Sequence, residues 1–284
     1  LNIGVSALSQ QIARLENELA IRLLQRTSRG VTPTSAGLAF YSQAQLALRH
    51  ADDAILAARE ARLSGHVSVG MAPSTASVLG VPFINAMRES YPDVRLHLVE
   101  SLSGNLERMI NTRQLDLAIV FQQEKILRWS ARPVLEERLF LIGTHALLAP
   151  LQEDHISPDQ LTSLPLIMPS QGHGLRGRLE AVCQQHHLSV EVVADIDGLA
   201  LLMQAVRSGL GATLQPGAAI SHLDHQALRV IDVVNPILSR PNFLVSLSDD
   251  ELTPAGLAAR VILSKVMRQL VESDRWPGAT LYAH

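Results

Sequence analysis

Near the start of the chain Leu8, Ile12, Leu15 and Leu19 recur at spacings of four, three and four, which predicts one helix with these side chains on a buried face. Ser6 is placed to be its N-cap. A second, longer helix is predicted from an N-cap at Thr34 to about Leu63, with Leu38, Tyr41, Leu48, Ile55 and Leu63 as an apolar stripe among many Ala and Gln. At 1.5 Å per residue such a rod is about 45 Å long. After Leu63-Ser64-Gly65 the period changes from helical to alternating, so a new domain starts there. Its first series reads strand 67–71, a loop over Pro73-Ser74-Thr75, helix 78–91, strand 94–99, helix 105–111 and strand 116–121. The second reads strands 139–143 and 166–169, helix 175–187, strand 190–194, helix 199–208 and strand 212–214. A strand at 243–248 and a helix at 254–271 close the chain. This alternation requires sheets covered by helices, with ligands at the carboxyl ends of the strands. Crossovers near 138–144 and 234–240 divide it into a hinged pair of lobes, lobe I at 65–137 plus 240–284 and lobe II at 138–239.

Composition adds little until charge is divided along the chain. A length of 284 residues with 47% hydrophobic content suits two or three domains, and the net charge is only −3. Residues 1–49 nevertheless hold five arginines (14, 22, 26, 29 and 49) against Glu16 and Glu18, a balance of +3 that leaves −6 for the remainder. The basic charge is therefore concentrated in the first 49 residues, the sign that a polyanionic partner requires. No signal peptide or bilayer-length apolar run is present, so a cytoplasmic protein without a membrane partner is expected.

The polar face of the first helix carries Ser6, Gln10, Arg14 and Asn17. Gln pairs well with adenine and Arg with guanine, so this face has the chemistry a major groove requires. An ordinary amphipathic helix has the same pattern, and the helix alone does not separate the two readings. The next segment does, because Arg26 and Arg29 flank Thr27 and Ser28 ahead of Gly30, a short basic hairpin whose arginines can follow phosphates or enter the minor groove. The run SALSQQIARLE resembles the recognition helix of the LysR-type transcriptional regulators, and LLQRTSRGVTPTSAG resembles their wing and linker start. Within that family SGHVSVGMAPSTAS, ERLFLIGT and RGVTPTSAG most resemble the nitrogen assimilation control branch, some of which is not known to need an inducer.

The resemblance implies a mixed fold: a winged helix-turn-helix at 1–33, a linker and dimerisation helix at 34–64, and a two-lobed α/β effector domain at 65–284 like that of periplasmic solute-binding proteins. It implies a homodimer or homotetramer on double-stranded promoter DNA, with contact to RNA polymerase. It also implies one full helix and most of another before Leu1, so a fragment that folds and binds DNA poorly is expected. The DNA contacts expected on the helix are Ser6, Ala7, Ser9, Gln10, Gln11 and Arg14; those on the wing are Arg26, Arg29 and Thr32.

Strand ends supply the polar groups of a cleft between the lobes. Lobe I offers Ser74 and Thr75 at a helix start, Ser101 and Ser103, then Phe121 and Gln122; lobe II offers Ser170, Gln171, His173 and Arg176 at another helix start. The resemblance places inducer contacts at Ser74, Ser103, Phe121 and the stretch Gly174, Leu175, Arg176. Hydroxyls, two helix N-termini and one guanidinium predict a small anion, a di- or tricarboxylate gripped by Arg176. The same hydroxyls also serve as plain helix caps.

Two other function classes stand beside the regulator. One is a solute-binding protein whose N-terminal helices only oligomerise, a role that gives Arg26, Arg29 and Gln10 nothing to do. The other is a nucleotide-binding oxidoreductase, because residues 172–177 spell G-x-G-x-x-G and Asp195 follows 18 residues after Gly177. Pro169, Ser170 and Gln171 intervene between strand and first Gly, which disfavours it. No enzyme, cofactor or metal site is expected. Cys183 shares a helical face with Leu175, Leu179 and Val182 and reads as core; His186-His187 point apart; His222, Asp224 and His225 lack a further ligand; and Asp249-Asp250-Glu251 reads as a solvated turn before a helix.

Overall fold

A computed structural model describes residues 4–27, 30–59, 63–121, 129–151, 153–171, 174–220, 226–249 and 251–282. Helix α1 spans Val5–Leu19 and starts after an extended Gly4, so Ser6 lies inside the helix and caps nothing. A β-hairpin follows, β1 Leu24–Thr27 against β2 Gly30–Pro33, with Leu24 opposite Pro33 and Thr27 opposite Gly30. Gly30, at φ +123°, supplies the backbone that a side chain would resist. Helix α2, Ser35–Arg59, begins directly against the hairpin: the Thr34 hydroxyl accepts from the Gly37 N–H at 3.0 Å and donates to the Leu23 carbonyl. A Cβ on Gly37 would stand 2.0 Å from that carbonyl oxygen, which is why the helix can approach so closely.

The apolar face of α1 is less covered than its spacing predicts. Leu8 and Leu19 are exposed at 48% and 39%, and only Ile12 and Leu15 are half-buried. One hairpin and the first turns of α2 are too small to cover four turns of helix, and they leave an apolar cavity of about 460 Å³ lined by Ile12, Leu15, Leu24, Pro33, Leu38 and Phe40. What joins α1 to the hairpin is polar: the Glu16 carboxylate accepts the N–H groups of Leu23 and Leu24 at 2.7 and 2.9 Å. On α2 the stripe residues Leu38, Tyr41 and Leu48 are 56–68% exposed, an apolar face left uncovered by the described residues.

Lobe I is a sheet of β3 Gly65–Met71, β4 Val94–Glu100 and β5 Leu117–Val120 in parallel, with helices α3 Pro73–Ser90 and α4 Ser103–Asn111 between them. Strand β6, Ser130–Thr144, then crosses into lobe II, where β7 is His155–Ile156, β8 Pro165–Met168, α5 Gly174–Gln185, β9 Glu191–Asp195, α6 Leu199–Arg207, β10 Thr213–Pro216 and β11 Leu228–Val233. Strand β12, Ser239–Ser246, returns to lobe I, which α7 Pro254–Glu272 and β13 Ala279–Leu281 complete. Up to Arg138, β6 pairs β12; from Leu139 it pairs β10 and β11. The sequence pattern shows only the lobe II half of this strand, because the lobe I half is interrupted by Arg132, Pro133, Glu136 and Glu137. Pro73 to Thr75, expected as a loop, form the first turn of α3, Pro73 being favourable where no N–H is needed.

The apolar residues segregate by face. In lobe I, Val78, Leu79 and Phe83 of α3 meet Leu263, Val266 and Leu270 of α7 on one side of the sheet, and Leu106 and Ile110 of α4 cover the other. In lobe II, Leu175, Leu179 and Cys183 of α5 cover one side while Leu202 and Val206 of α6 cover the other, so Cys183 is core as its spacing indicated.

The Glu16 carboxyl is held below its ordinary value of 4.5, first by the Leu24 and Leu23 amides and then by Arg22. A depressed carboxyl contributes stability that is complete above the unfolded value and is lost as pH falls through the folded one. Glu16→Ala is therefore expected to speed hydrogen exchange at the Leu23 and Leu24 amides at neutral pH, and the difference from the parent should shrink on acidification well below 4.5.

Candidate functional site

Helix α1 presents Ser6, Ala7, Ser9, Gln10, Gln11 and Arg14 to solvent. Arg14 is held only by Glu18, four residues on at 3.0 Å, with both side chains mostly exposed. Such a surface pair is worth little, so a phosphate or a guanine edge can take the guanidinium over. The hairpin places Thr32 on β2, exposed, and Arg26 on β1 opposite Val31, while Arg29 lies outside the described residues. Apart from Arg29, the expected helix and wing residues thus occupy one contiguous unit, α1 followed by β1–β2.

Between the lobes the cleft is nearly closed. Ser74, Leu102, Phe121, Leu175, Gln215 and Arg240 border a gap of about 30 Å³, enough for a water molecule or two. Ser74, Phe121 and Leu175 therefore come together as expected residues, Ser74 and Leu175 at the N-termini of α3 and α5 and Phe121 just after β5. Ser101 and Ser103 are half-buried on either side of Leu102, and it is Leu102 that lines the gap. Thr75 is fully buried, and its hydroxyl has no hydrogen-bond partner among the described residues. Ser170 donates its N–H and its hydroxyl to Asp197 at 2.9 Å. Gln171 is exposed, Gly174 opens α5, and Gln122 and His173 lie outside the described residues, as do His222, Asp224 and His225.

Arg176 does not reach the gap. Its guanidinium binds Glu180 at 2.7 Å and Asp195 at 3.1 Å, because the i,i+4 acid on its own helix and the end of β9 are both nearer than the cleft. The guanidinium of the gap belongs to Arg240, at the start of β12. It is 3% exposed, donates to Glu137 Oε2 at 2.8 and 2.9 Å and to Ser74 Oγ at 2.9 Å, and lies 3.7 Å from the centre of the Phe121 ring. Burial pulls Arg240 below its ordinary value and Glu137 opposes that pull. Glu137 is itself fully buried, and its other oxygen accepts from the Ala218 amide at 2.7 Å and from Trp276 Nε1 at 2.8 Å. One carboxylate therefore joins both crossing strands, the end of the chain and a turn of lobe II. That turn, Gly217–Ala219, also receives the Ser77 hydroxyl at the Ala218 carbonyl, and a Cβ on Gly217 would meet the Pro277 carbonyl oxygen at 1.6 Å. Beside it, Arg178 of α5 donates to the Ser239 carbonyl at 2.7 Å. The only sequence signal for this network is two opposite charges at the edges of otherwise apolar crossovers, 103 residues apart.

Residues 60–268 match the family model described as LysR substrate binding domain, and residues 1–38 match that described as bacterial regulatory helix-turn-helix protein, lysR family. The chain belongs to the LysR family of transcriptional regulators. It is 33% identical to the nitrogen assimilation regulatory protein nac of Escherichia coli K12, over 97% of this chain and 91% of that protein. With the nac protein of Klebsiella aerogenes the identity is 32%, over 96% and 90% of the two chains. Full-length OxyR from Pseudomonas aeruginosa has the same fold, at a TM-score of 0.75 and 20% identity, covering 99% of this chain and 90% of that one.

Membership in the family makes this LysR protein a DNA-binding transcriptional regulator with an effector-binding domain, and not an enzyme. The readings as an oxidoreductase and as a plain solute-binding protein both fall. Asp195, which a dinucleotide site would need for ribose, is engaged by Arg176. Among the described residues no helix is long and apolar enough to cross a membrane.

Removing one partner of a buried ion pair leaves an uncompensated charge, at a cost of about 3–5 kcal/mol. Glu137→Gln is expected to lower unfolding stability in urea by that order, whereas a Glu137→Met, Arg240→Met double variant should lose much less. A loss below about 1 kcal/mol for the single variant would remove the pair from its role as anchor.

Proposed function

We propose that this LysR protein reads a promoter as a dimer or tetramer in the cytoplasm, using Ser6, Ala7, Ser9, Gln10, Gln11 and Arg14 of α1 in the major groove and Arg26, Arg29 and Thr32 of the wing on the backbone. The observation that carries this reading is the exposed polar row of α1 directly beside the basic hairpin. A division at about residues 33 and 64 makes α2 the dimerisation helix, and its exposed Leu38, Tyr41 and Leu48 support that role. Two half-sites are needed because one reading head of this size does not outcompete random DNA.

The effector of this reading is a small di- or tricarboxylate. Support comes from the hydroxyl of Ser74, the N-termini of α3 and α5, and a guanidinium that converge on one gap, the guanidinium being Arg240 in place of Arg176. With about 30 Å³ free, entry requires the lobes to part and Arg240 to exchange Ser74 for the ligand. The effector then acts by favouring the open lobes, and through α2 it changes the spacing of the DNA heads and their contact with RNA polymerase.

Footprinting of the protein on its own upstream region, with and without a panel of di- and tricarboxylates, tests both parts. Gln10→Ala should relax base preference by about 1–3 kcal/mol at one position of each half-site, and Arg26→Ala should weaken all sequences alike and reduce the salt slope by about one. No protection at any salt concentration would overturn the DNA reading, while protection and thermal stability indifferent to every acid would overturn the effector part.

A further inference from the structure

Lobe I carries a second concave site on the side of α7 away from α3. It is a groove of about 750 Å³ between α7 and the strands β6, β12 and β13, with Leu244, Met267 and Leu281 among the residues that line it. Arg260, Ser264 and Arg268 recur every four residues along α7, with Val261 and Lys265 beside them; Arg132 stands on β6 and Tyr282 follows β13. Four cations therefore line it and no acid does, in a part of the chain whose net charge is −6. Arg260 is held by Asp249 at 2.6 Å, and Arg268 only loosely by Glu272 at 3.9 Å. Lys265 is exposed with no ion pair among the described residues, and Arg132, also exposed, makes no direct ion pair there and feels Asp249 only at longer range, behind Arg260. Val261 is 62% exposed at the rim, and the Tyr282 hydroxyl, bound to Glu136, is pushed up to about 12, mainly by burial, so it stays protonated.

We propose that this groove binds an amphipathic organic anion, a small molecule with an apolar body and one or more carboxylate, sulfonate or phosphate groups, at a site separate from the interlobe gap. The apolar lining suits the body, and Lys265 and Arg132, neither in a direct ion pair, suit the charged end, since charge-assisted hydrogen bonds are the strong ones. The volume is that of a single-ligand pocket. A peptide strand is a poorer occupant: β13 covers β6 only from Leu135 to Glu137, and the bare stretch beyond it contains Pro133, which has no N–H to donate, and the charged Arg132.

Titration of the full chain with 1-anilinonaphthalene-8-sulfonate, a fluorescent apolar sulfonate, tests the site. Saturable enhancement displaced by decanoate is expected. The Arg132→Gln, Lys265→Gln double variant, whose far-ultraviolet circular dichroism should match the parent because both side chains are exposed, should weaken it at least about tenfold. Ser74→Ala should leave probe affinity unchanged, so the outcome is independent of any effector in the gap. Equal affinity in parent and double variant would overturn the proposal. So would displacement by a glutamate-leucine peptide but not by decanoate.

Discussion

The lobes of the effector domain are held in register by the buried pair Glu137 and Arg240, and the cleft takes its shape from it. Taking both charges out of water is costly, and the cost is met only because every oxygen and most of the guanidinium find partners: two amide or indole N–H groups on one side, Ser74 and the Phe121 face on the other. The pair joins the strands at the point where both leave lobe I. Any rotation of the lobes must turn about this point or break it. The Gly217–Ala219 turn, hydrogen-bonded to Glu137 and Ser77 and packed on Pro277, adds a third connection on the same axis. A freely hinged clamshell is thus too loose a picture; a narrow range of angles about one polar pivot describes these contacts better.

That pivot also explains why the gap is small. Arg240 is drawn inward by Glu137 and lies across the gap, with Ser74 as its further acceptor. An anion entering the gap would compete with Ser74 for a guanidinium that already has a carboxylate, so selectivity depends on how well a ligand replaces one neutral hydrogen bond. The N-terminal unit is built on the opposite principle. Its internal tie is Glu16 on two amides, its apolar face is half open, and the polar side chains of α1 from Ser6 to Arg14 face solvent.

Much of this was legible in the residues themselves. The spacing of apolar positions located nearly every helix and the parallel strands, and Thr34 was recognisable as a cap because a hydroxyl three residues before Gly37 can reach its amide. The polar row of α1 was readable because an exposed helix face follows directly from period. Local spacing misassigned the residues whose partners are distant. Ser6 looked like a cap, although Gly4 already supplies the extended residue before the helix. Arg176 looked like the cleft cation because it stands at a helix start, yet Glu180 and Asp195 claim it.

The sequence by itself determined the family, the exposed polar face of the first helix with the basic hairpin after it, and the alternation of strands and helices that builds the two lobes. These rest on periodicities of two and 3.6 and on contiguous motifs, which need no knowledge of distant contacts. Only the tertiary structure decided which arginine enters the cleft, how much room the cleft holds, and that four cations from β6 and α7 share one groove. Those outcomes depend on strand register. Glu137 faces Arg240 because β6 and β12 pair antiparallel with Arg240 opposite Glu137, and a slip of one residue in either strand would have turned that strand's side chain to the other face, away from its partner.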